Sequence, residues 1–158
     1  MKVAVIANDF QKEELLAQGL SDDVQVLWPD KLMPVQGADC YIDLLFTATA
    51  ERTEVLKKLQ PATIIVNDII TTLDKLPENF IRINGWPGFL KRPIAEAACN
   101  HVVTKSIASP IFSCFNKTIE WLPDTAGFIS ARVIGMIINE AYFALGEEVS
   151  SKEEIDTA

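Results

Sequence analysis

The sequence predicts an α/β fold: a parallel-sheet unit over residues 1–121, followed by a helical segment over 122–158. Two observations predict it. From the N-terminus, short β-branched apolar runs alternate with amphipathic stretches, the order expected where helices cross over between buried parallel strands. After Gly127 the pattern changes to one dense apolar stretch of helical length, with Arg132, Asn139 and Glu140 as its strongly polar interruptions.

Lys2–Ala7 (KVAVIA) reads as a buried first strand, broken by Asn8-Asp9. Phe10–Leu20 reads as a short helix with Phe10, Leu15, Leu16 and Leu20 on one face, and Val24–Trp28 as a second strand closed by Pro29. Cys40–Phe46 is a third strand with Asp43 inside it. Thr49–Leu59 is a helix with a wet face of Glu51, Arg52, Glu54, Lys57 and Lys58, ended by Pro61. Thr63–Val66 and Phe80–Ile83 complete five expected strands. Asn84–Glu96 (NGWPGFLKRPIAE) is a shaped loop, because its glycines and prolines restrict the turns open to it. From Val102 to Trp121, Ile107, Ile111, Phe112, Phe115 and Ile119 recur at helical spacing, and Pro110 marks a break or a helix start. Asp124 or Thr125 is expected to cap the apolar helix and Gly146 to end it. Ser150 with Glu153, or Ser151 with Glu154, offers a capping box for a following helix.

The bulk numbers narrow the functional classes. The 158 residues carry a net charge of −8, which argues against nucleic acid as a partner, since phosphate backbones need basic surfaces. Cys40, Cys99 and Cys114 lack CxxC spacing and read as reduced thiols of a cytoplasmic protein, with no metal site. The N-terminus lacks the apolar core of a signal peptide. The apolar stretch after Gly127 is too short, and too polar at its ends, to span a membrane. So apolar a helix near the end of a short chain points to burial by the rest of the chain or by a second copy, that is, a homodimer through Gly127–Leu145.

In open parallel sheets, ligands bind beyond the carboxyl ends of the strands. That rule makes Asn8, Asp43, Asn67, Asp68 and Asn84 the first candidates for ligand contact, although Asn and Asp also follow strands simply as turn residues. A dinucleotide-binding sheet of the Rossmann type carries GxGxxG after its first strand. Here the stretch is Ala7-Asn8-Asp9-Phe10-Gln11-Lys12, without a glycine and with an acid that repels phosphate. The expectation is a reduced Rossmann-like sheet without an intact dinucleotide loop. Trp86 with Lys91 and Arg92, the one tight basic pair, is the candidate ligand-binding cluster. His101, the single histidine, is a candidate base, though a lone histidine beside valines is more often a packing or surface residue.

The C-terminal stretch PDTAGFISARVIGMIINEAYFALGEEVSSKEEIDTA closely resembles the start of the C-terminal domain of the 3-hydroxyacyl-CoA dehydrogenase family, which includes 3-hydroxybutyryl-CoA dehydrogenases. Asp124, Gly127, Phe128, Arg132, Asn139, Glu140, Ala141, Ile155 and Asp156 match in place. A weaker resemblance runs through Ala38-Asp39, Ile42-Asp43, Asn67 and the Asn84–Glu96 loop. The resemblance implies a sheet domain that binds NAD, with Asp43 and Asn67 in the resembling stretches and Asn8, after the first strand, as a further candidate cofactor contact. It also implies a helical domain that dimerises and closes over an acyl-CoA. Catalysis would use a histidine oriented by a glutamate, assisted by a serine and an asparagine. The glutamate carries over to Glu96. The histidine falls at Ile83 or Asn84, the serine at Ile69 and the asparagine at Ala131, and the glycine loop is gone. The expectation is a divergent relative without hydride transfer, acting as a binder of an acyl-CoA-like ligand or as a dimeric assembly protein. The alternative is an NAD-dependent dehydrogenase with an atypical site built from Glu96 with Asn84 or His101.

Overall fold

Lys2–Ile6 (β1) lies between two parallel neighbours, Gln25–Leu27 (β2) and Cys40–Asp43 (β3). Outward from β3 come Thr63–Asn67 (β4) and Phe80–Ile83 (β5), also parallel. Ile94–Ala98 (β6) then runs antiparallel to β5, and Thr118–Trp121 (β7) runs parallel to β6. The result is one seven-stranded sheet of order β2-β1-β3-β4-β5-β6-β7. Asp9–Leu16 (α1), Ala50–Lys57 (α2), a 3-10 turn over Leu73–Lys75 and Val102–Ser113 (α3) connect the strands. The computed structural model describes residues 1–157. The chain divides into two compact units, Met1–Phe128 and Ile129–Ala158.

The apolar runs of β1, β3 and β4 are buried on both faces, which is why they read as continuous rather than alternating. Successive side chains nonetheless go to opposite sides. Val3, Val5, Ile42, Ile65, Ile81 and Ile83 pack with Leu15 of α1 and with Ile111, Phe112 and Phe115 around α3. Ala4, Ile6, Tyr41, Ile64, Val66 and Phe80 pack on the other face with Leu56 of α2 and Leu76. Residues 28–39 join β2 to β3 without a helix. The outer third strand of the six-stranded doubly wound order therefore has no counterpart here.

Several expectations change. Only five strands are read from the sequence: β6 begins inside the stretch read as a loop, and β7 lies in the stretch read at helical spacing. Ile119 belongs to β7. Pro110 lies inside α3, near its C-terminal end, rather than breaking or starting it. Phe10 and Leu20 are exposed, and from their set only Leu15 and Leu16 reach the core.

Leu122–Phe128, expected with the helical segment, is built into the sheet unit. Neither Asp124 nor Thr125 caps the apolar helix: the Asp124 carboxylate accepts from Leu73 N at 2.7 Å and pairs with the fully buried Arg82. Arg82 also donates to the carbonyls of Asp68 and Ile69 and lies over the Phe128 ring, 4.8 Å from its centre. Phe128 itself is buried beside Leu73 and Ala98.

The second unit holds Ser130–Gly146 (α4) and Lys152–Thr157 (α5). Ile129, the residue before α4, makes no side-chain cap. Gly146 is the last helical residue, but the left-handed turn that follows is made by Glu148 (φ 55°). Ser151 and Glu154 form the capping box of α5, with Ser151 N donating to the Glu154 carboxylate at 2.8 Å and Glu154 N to Ser151 Oγ at 3.3 Å. No residue of α4 is buried, and Met136, Ile137, Tyr142 and Phe143 are each more than 60% exposed. No helix among the described residues is long and apolar enough to cross a membrane.

Candidate functional site

The carboxyl ends of β1, β3, β4 and β5 lie along one edge of the sheet, and the chain changes direction between β1 and β3. That switch point is where an open α/β sheet takes its ligand. The sequence places Asn8 there as the N-cap of α1. Its Oδ1 accepts from Gln11 N at 2.8 Å, and Gln11 Oε1 accepts from Asn8 N at 3.2 Å, a complete capping box. Gln11 Nε2 then reaches across to the Leu44 carbonyl beyond β3 at 2.9 Å. Asp9 opens the first turn of α1. A helix N-terminus attracts phosphate through free N–H groups and its positive dipole end. Here one of those N–H groups is taken by Asn8, and Asp9 opposes an anion. Lys12 Nζ stacks 4.9 Å from the ring centre of Trp28, which follows β2. These residues do not fit a pyrophosphate-bearing dinucleotide in the manner of a glycine loop.

The neighbouring positions are equally committed to the protein. Asp43, fully buried, binds Arg52 through two 2.7 Å hydrogen bonds, and this pairing holds the Arg52 guanidinium above its ordinary pKa. Asn67 donates to the Leu44 carbonyl at 3.2 Å and accepts from Gly85 N at 2.9 Å, tying the ends of β3, β4 and β5 together. Gly85 is required by that closeness: a Cβ there would stand 2.7 Å from the Asn67 side chain. Asp68 accepts from Ile70 N and Thr71 N, the turn role its position suggested.

At the other end of the edge the antiparallel register settles a choice left open by the sequence. Arg82 faces Ala98 and Ile83 faces Ala97, so Asn84 lies opposite Glu96. Asn84 N donates to the Glu96 carbonyl at 3.0 Å, and Asn84 Nδ2 donates to Glu96 Oε2 at 2.8 Å. Cross-strand neighbours share a face, so the two side chains meet by construction. Asn84 Oδ1 accepts from Trp86 N at 3.2 Å. The amide is therefore held at both ends and almost fully buried. A neutral amide has no proton-accepting nitrogen, so this pair cannot act as an imidazole–carboxylate base does.

His101 lies elsewhere. It follows β6 at the opposite, amino-terminal edge of the parallel strands, where Nε2 meets Glu78 Oε1 at 3.0 Å. It lines a separate cleft with Thr63, Asn79, Thr104 and Ile107. The second half of β6 and the two residues after it carry the chain from Glu96 to the far edge, so the structure does not bring the two together.

The loop after Asn84 has a defined shape. Trp86-Pro87-Gly88-Phe89 is a turn with Gly88 at φ 88° and Phe89 N donating to the Trp86 carbonyl at 2.9 Å. Proline second and a positive-φ glycine third are the residues a type II turn demands. The Trp86 and Phe89 rings lie 6.2 Å apart, and the Arg92 guanidinium sits 5.2 Å from the Phe89 ring centre. Trp86, Lys91 and Arg92 are exposed, so the cluster presents aromatic faces and cations on one loop.

Sequence reasoning missed Gln11, Arg82 and Lys117, all of which shape this edge. Gln11 was legible as the N3 partner of an Asn N-cap. Arg82, inside an apolar strand, was a buried charge in need of a partner.

Neither a protein-family profile nor a curated protein sequence matches this chain. Solved structures do. A 3-hydroxyacyl-CoA dehydrogenase from Archaeoglobus fulgidus superposes with a TM-score of 0.71 at 16% identity, over 99% of this chain and 67% of that one. A (S)-3-hydroxybutyryl-CoA dehydrogenase from Ralstonia eutropha gives 0.69 at 15% identity, over 97% and 74%. An NAD+-dependent dehydrogenase acting on a formyl-hydroxy-methylpyridine carboxylic acid gives 0.76 at 15%, over 99% and 68%. With its parallel sheet, its antiparallel β5–β6 pair and its apolar C-terminal helix, this chain has the fold of the 3-hydroxyacyl-CoA dehydrogenases.

Proposed function

We propose that this chain is a divergent 3-hydroxyacyl-CoA dehydrogenase-like protein that does not transfer hydride, and that it binds an acyl-CoA-like ligand as a homodimer. The observation that carries the reading is the Asn84–Glu96 pair. A carboxylate stands in the position that would orient a base, and its partner is an amide. Positioned proton transfer is worth roughly 10²–10⁴-fold in rate, and the amide does not supply it. The self-capped N-terminus of α1 supports the loss of the nucleotide half. Trp86 with Lys91 and Arg92 supports ligand binding, because aromatic faces and fixed cations suit an adenine ring and phosphates. The exposed apolar face of α4 supports pairing with a second copy, since a monomer rarely leaves so large a patch in water.

The test is a titration with NADH, alone and with acetoacetyl-CoA, following nucleotide fluorescence and NADH oxidation. The expected outcome is acetoacetyl-CoA binding that weakens in a Lys91→Ala, Arg92→Ala variant, with no oxidation. NADH oxidation that disappears in Glu96→Gln would overturn the reading in favour of an NAD-dependent dehydrogenase with an atypical site. For the dimer, sedimentation is expected to show a species of twice the chain mass that Met136→Glu with Phe143→Glu converts to monomer. A monomer at every concentration would remove the Gly127–Leu145 interface.

A further inference from the structure

The segment Gly88–Arg92 is held from beneath by side chains distant in sequence. Glu14 of α1 accepts from Gly88 N through Oε1 at 2.7 Å. Gln18, just past α1, donates to the Lys91 carbonyl at 2.8 Å. Lys117, ahead of β7, donates from one ammonium to the carbonyls of Leu90 at 2.6 Å and Arg92 at 2.9 Å. The two anchoring sites are themselves joined: Asn116 Nδ2 donates to the Gln18 carbonyl at 2.9 Å, and Ser21 N donates to the Cys114 carbonyl at 2.8 Å. Glu14 and Lys117 are both buried, and Glu14 Oε2 has no hydrogen-bond partner. A buried carboxylate oxygen left without a bond is costly unless an opposite charge lies near it.

We propose that Glu14 and Lys117 are positioning residues, a charge-coupled catch that locks the aromatic and basic loop into one shape before any ligand arrives. The inference rests on the reading above only for what the loop binds; the catch itself is read from bonds within the free protein. The ionisable side chains on the elements that meet here are Asp9, Lys12, Glu13 and Glu14 on α1, Lys91 and Arg92 on the loop, Lys105 on α3 with Cys114 at its end, and Glu120 on β7. Of these, Glu14 is the charge that acts on Lys117: burial pushes the ammonium down to about 8, and Glu14 pulls it back up. Each holds the loop backbone from its own side, Glu14 at Gly88 and Lys117 at Leu90 and Arg92. A loop fixed in this way presents its side chains without the ordering cost that a floppy loop would incur on binding.

Amide hydrogen exchange and side-chain NMR test the catch with no ligand present, so its failure is separable from failure of the binding reading. Lys117→Met is expected to speed exchange at Gly88 about tenfold or more while Val5 and Ile65, in the central strands, stay as slow as in the parent. Equal acceleration at all three would make Lys117 a general stability residue and overturn the proposal. Glu14→Gln keeps an acceptor for Gly88 N and keeps the side-chain shape, so it serves should Lys117→Met fail to fold. In that variant the Lys117 Cε resonance is expected to titrate about one pH unit lower than in the parent. An unchanged midpoint would show the two charges to be independent and would overturn the coupling.

Discussion

The two ends of the sheet's carboxyl edge close in different ways. At the β1/β3 end the closing bonds are mostly short in sequence: Asn8 with Gln11, and Asp43 with Arg52 nine residues on. At the β4–β6 end they span longer separations, from Asn84 with Glu96 to Arg82 with Asp124, 42 residues apart. At the first end side chains stand where a glycine loop would lie, and they satisfy one another. At the second a carboxylate is paired with an amide, while the Arg82–Asp124 ion pair beneath it ties the strand to the segment that leads out of the sheet unit. The bonding at one end is local, and at the other it belongs to a network that joins distant segments.

That contrast is broken most severely at the long-range end. Asp124→Ala leaves Arg82 charged and buried with only carbonyls to face, and the expected loss is roughly 3–5 kcal/mol of unfolding free energy in a urea titration. An equal loss from Asp124→Asn would show that charge, rather than hydrogen bonding alone, holds the pair. Gly85→Ala comes next. The new methyl collides with Asn67, and overpacking of this kind costs about 1–3 kcal/mol by the same titration. At the local end, Asn8→Ala removes one cap and should cost about 1 kcal/mol. A larger loss there would mean that the Gln11 bridge to Leu44 matters beyond its own turn and would blur the distinction between the two ends.

A pH dependence marks the catch. Lys117 is pushed down to about 8 in the folded chain from an ordinary 10.5. Between those values the unfolded chain binds the extra proton, so stability rises with pH through that window. The penalty is complete below about pH 8 and gone above about 10.5. Urea midpoints measured from pH 7 to 11 should carry this rise in the parent and lack it in Lys117→Met.

Much of the sheet was legible because its strands are buried on both faces. KVAVI, CYID, TIIVN and FIRI are runs that only a central strand accommodates easily. β6 and β7 were not, since IAEAA carries an acid mid-run and TIEW is too short for its alternation to stand out from the helical spacing around it. The edge positions Asn8, Asn67 and Asn84 were placed correctly at strand ends, while Asp43, inside a strand expected to run to Phe46, is the last residue of β3. What each of them bonds to was hidden, because Asn and Asp satisfy backbone turns and contact ligands through the same oxygens.

By itself the sequence determined which segments are strands at the centre of a sheet, that no glycine loop follows the first of them, and that α4 is apolar around much of its circumference. These are consequences of local composition and period, which a chain carries whatever its partners. Only the tertiary structure decided that Asn84 and not Ile83 faces Glu96, that His101 belongs to the far edge, and that Asp124 serves Arg82 rather than a helix. Those outcomes depend on register and on strand direction. An antiparallel β6 brings Glu96 beside Asn84 and carries the chain away from it to His101, and a parallel strand in the same place would have done neither.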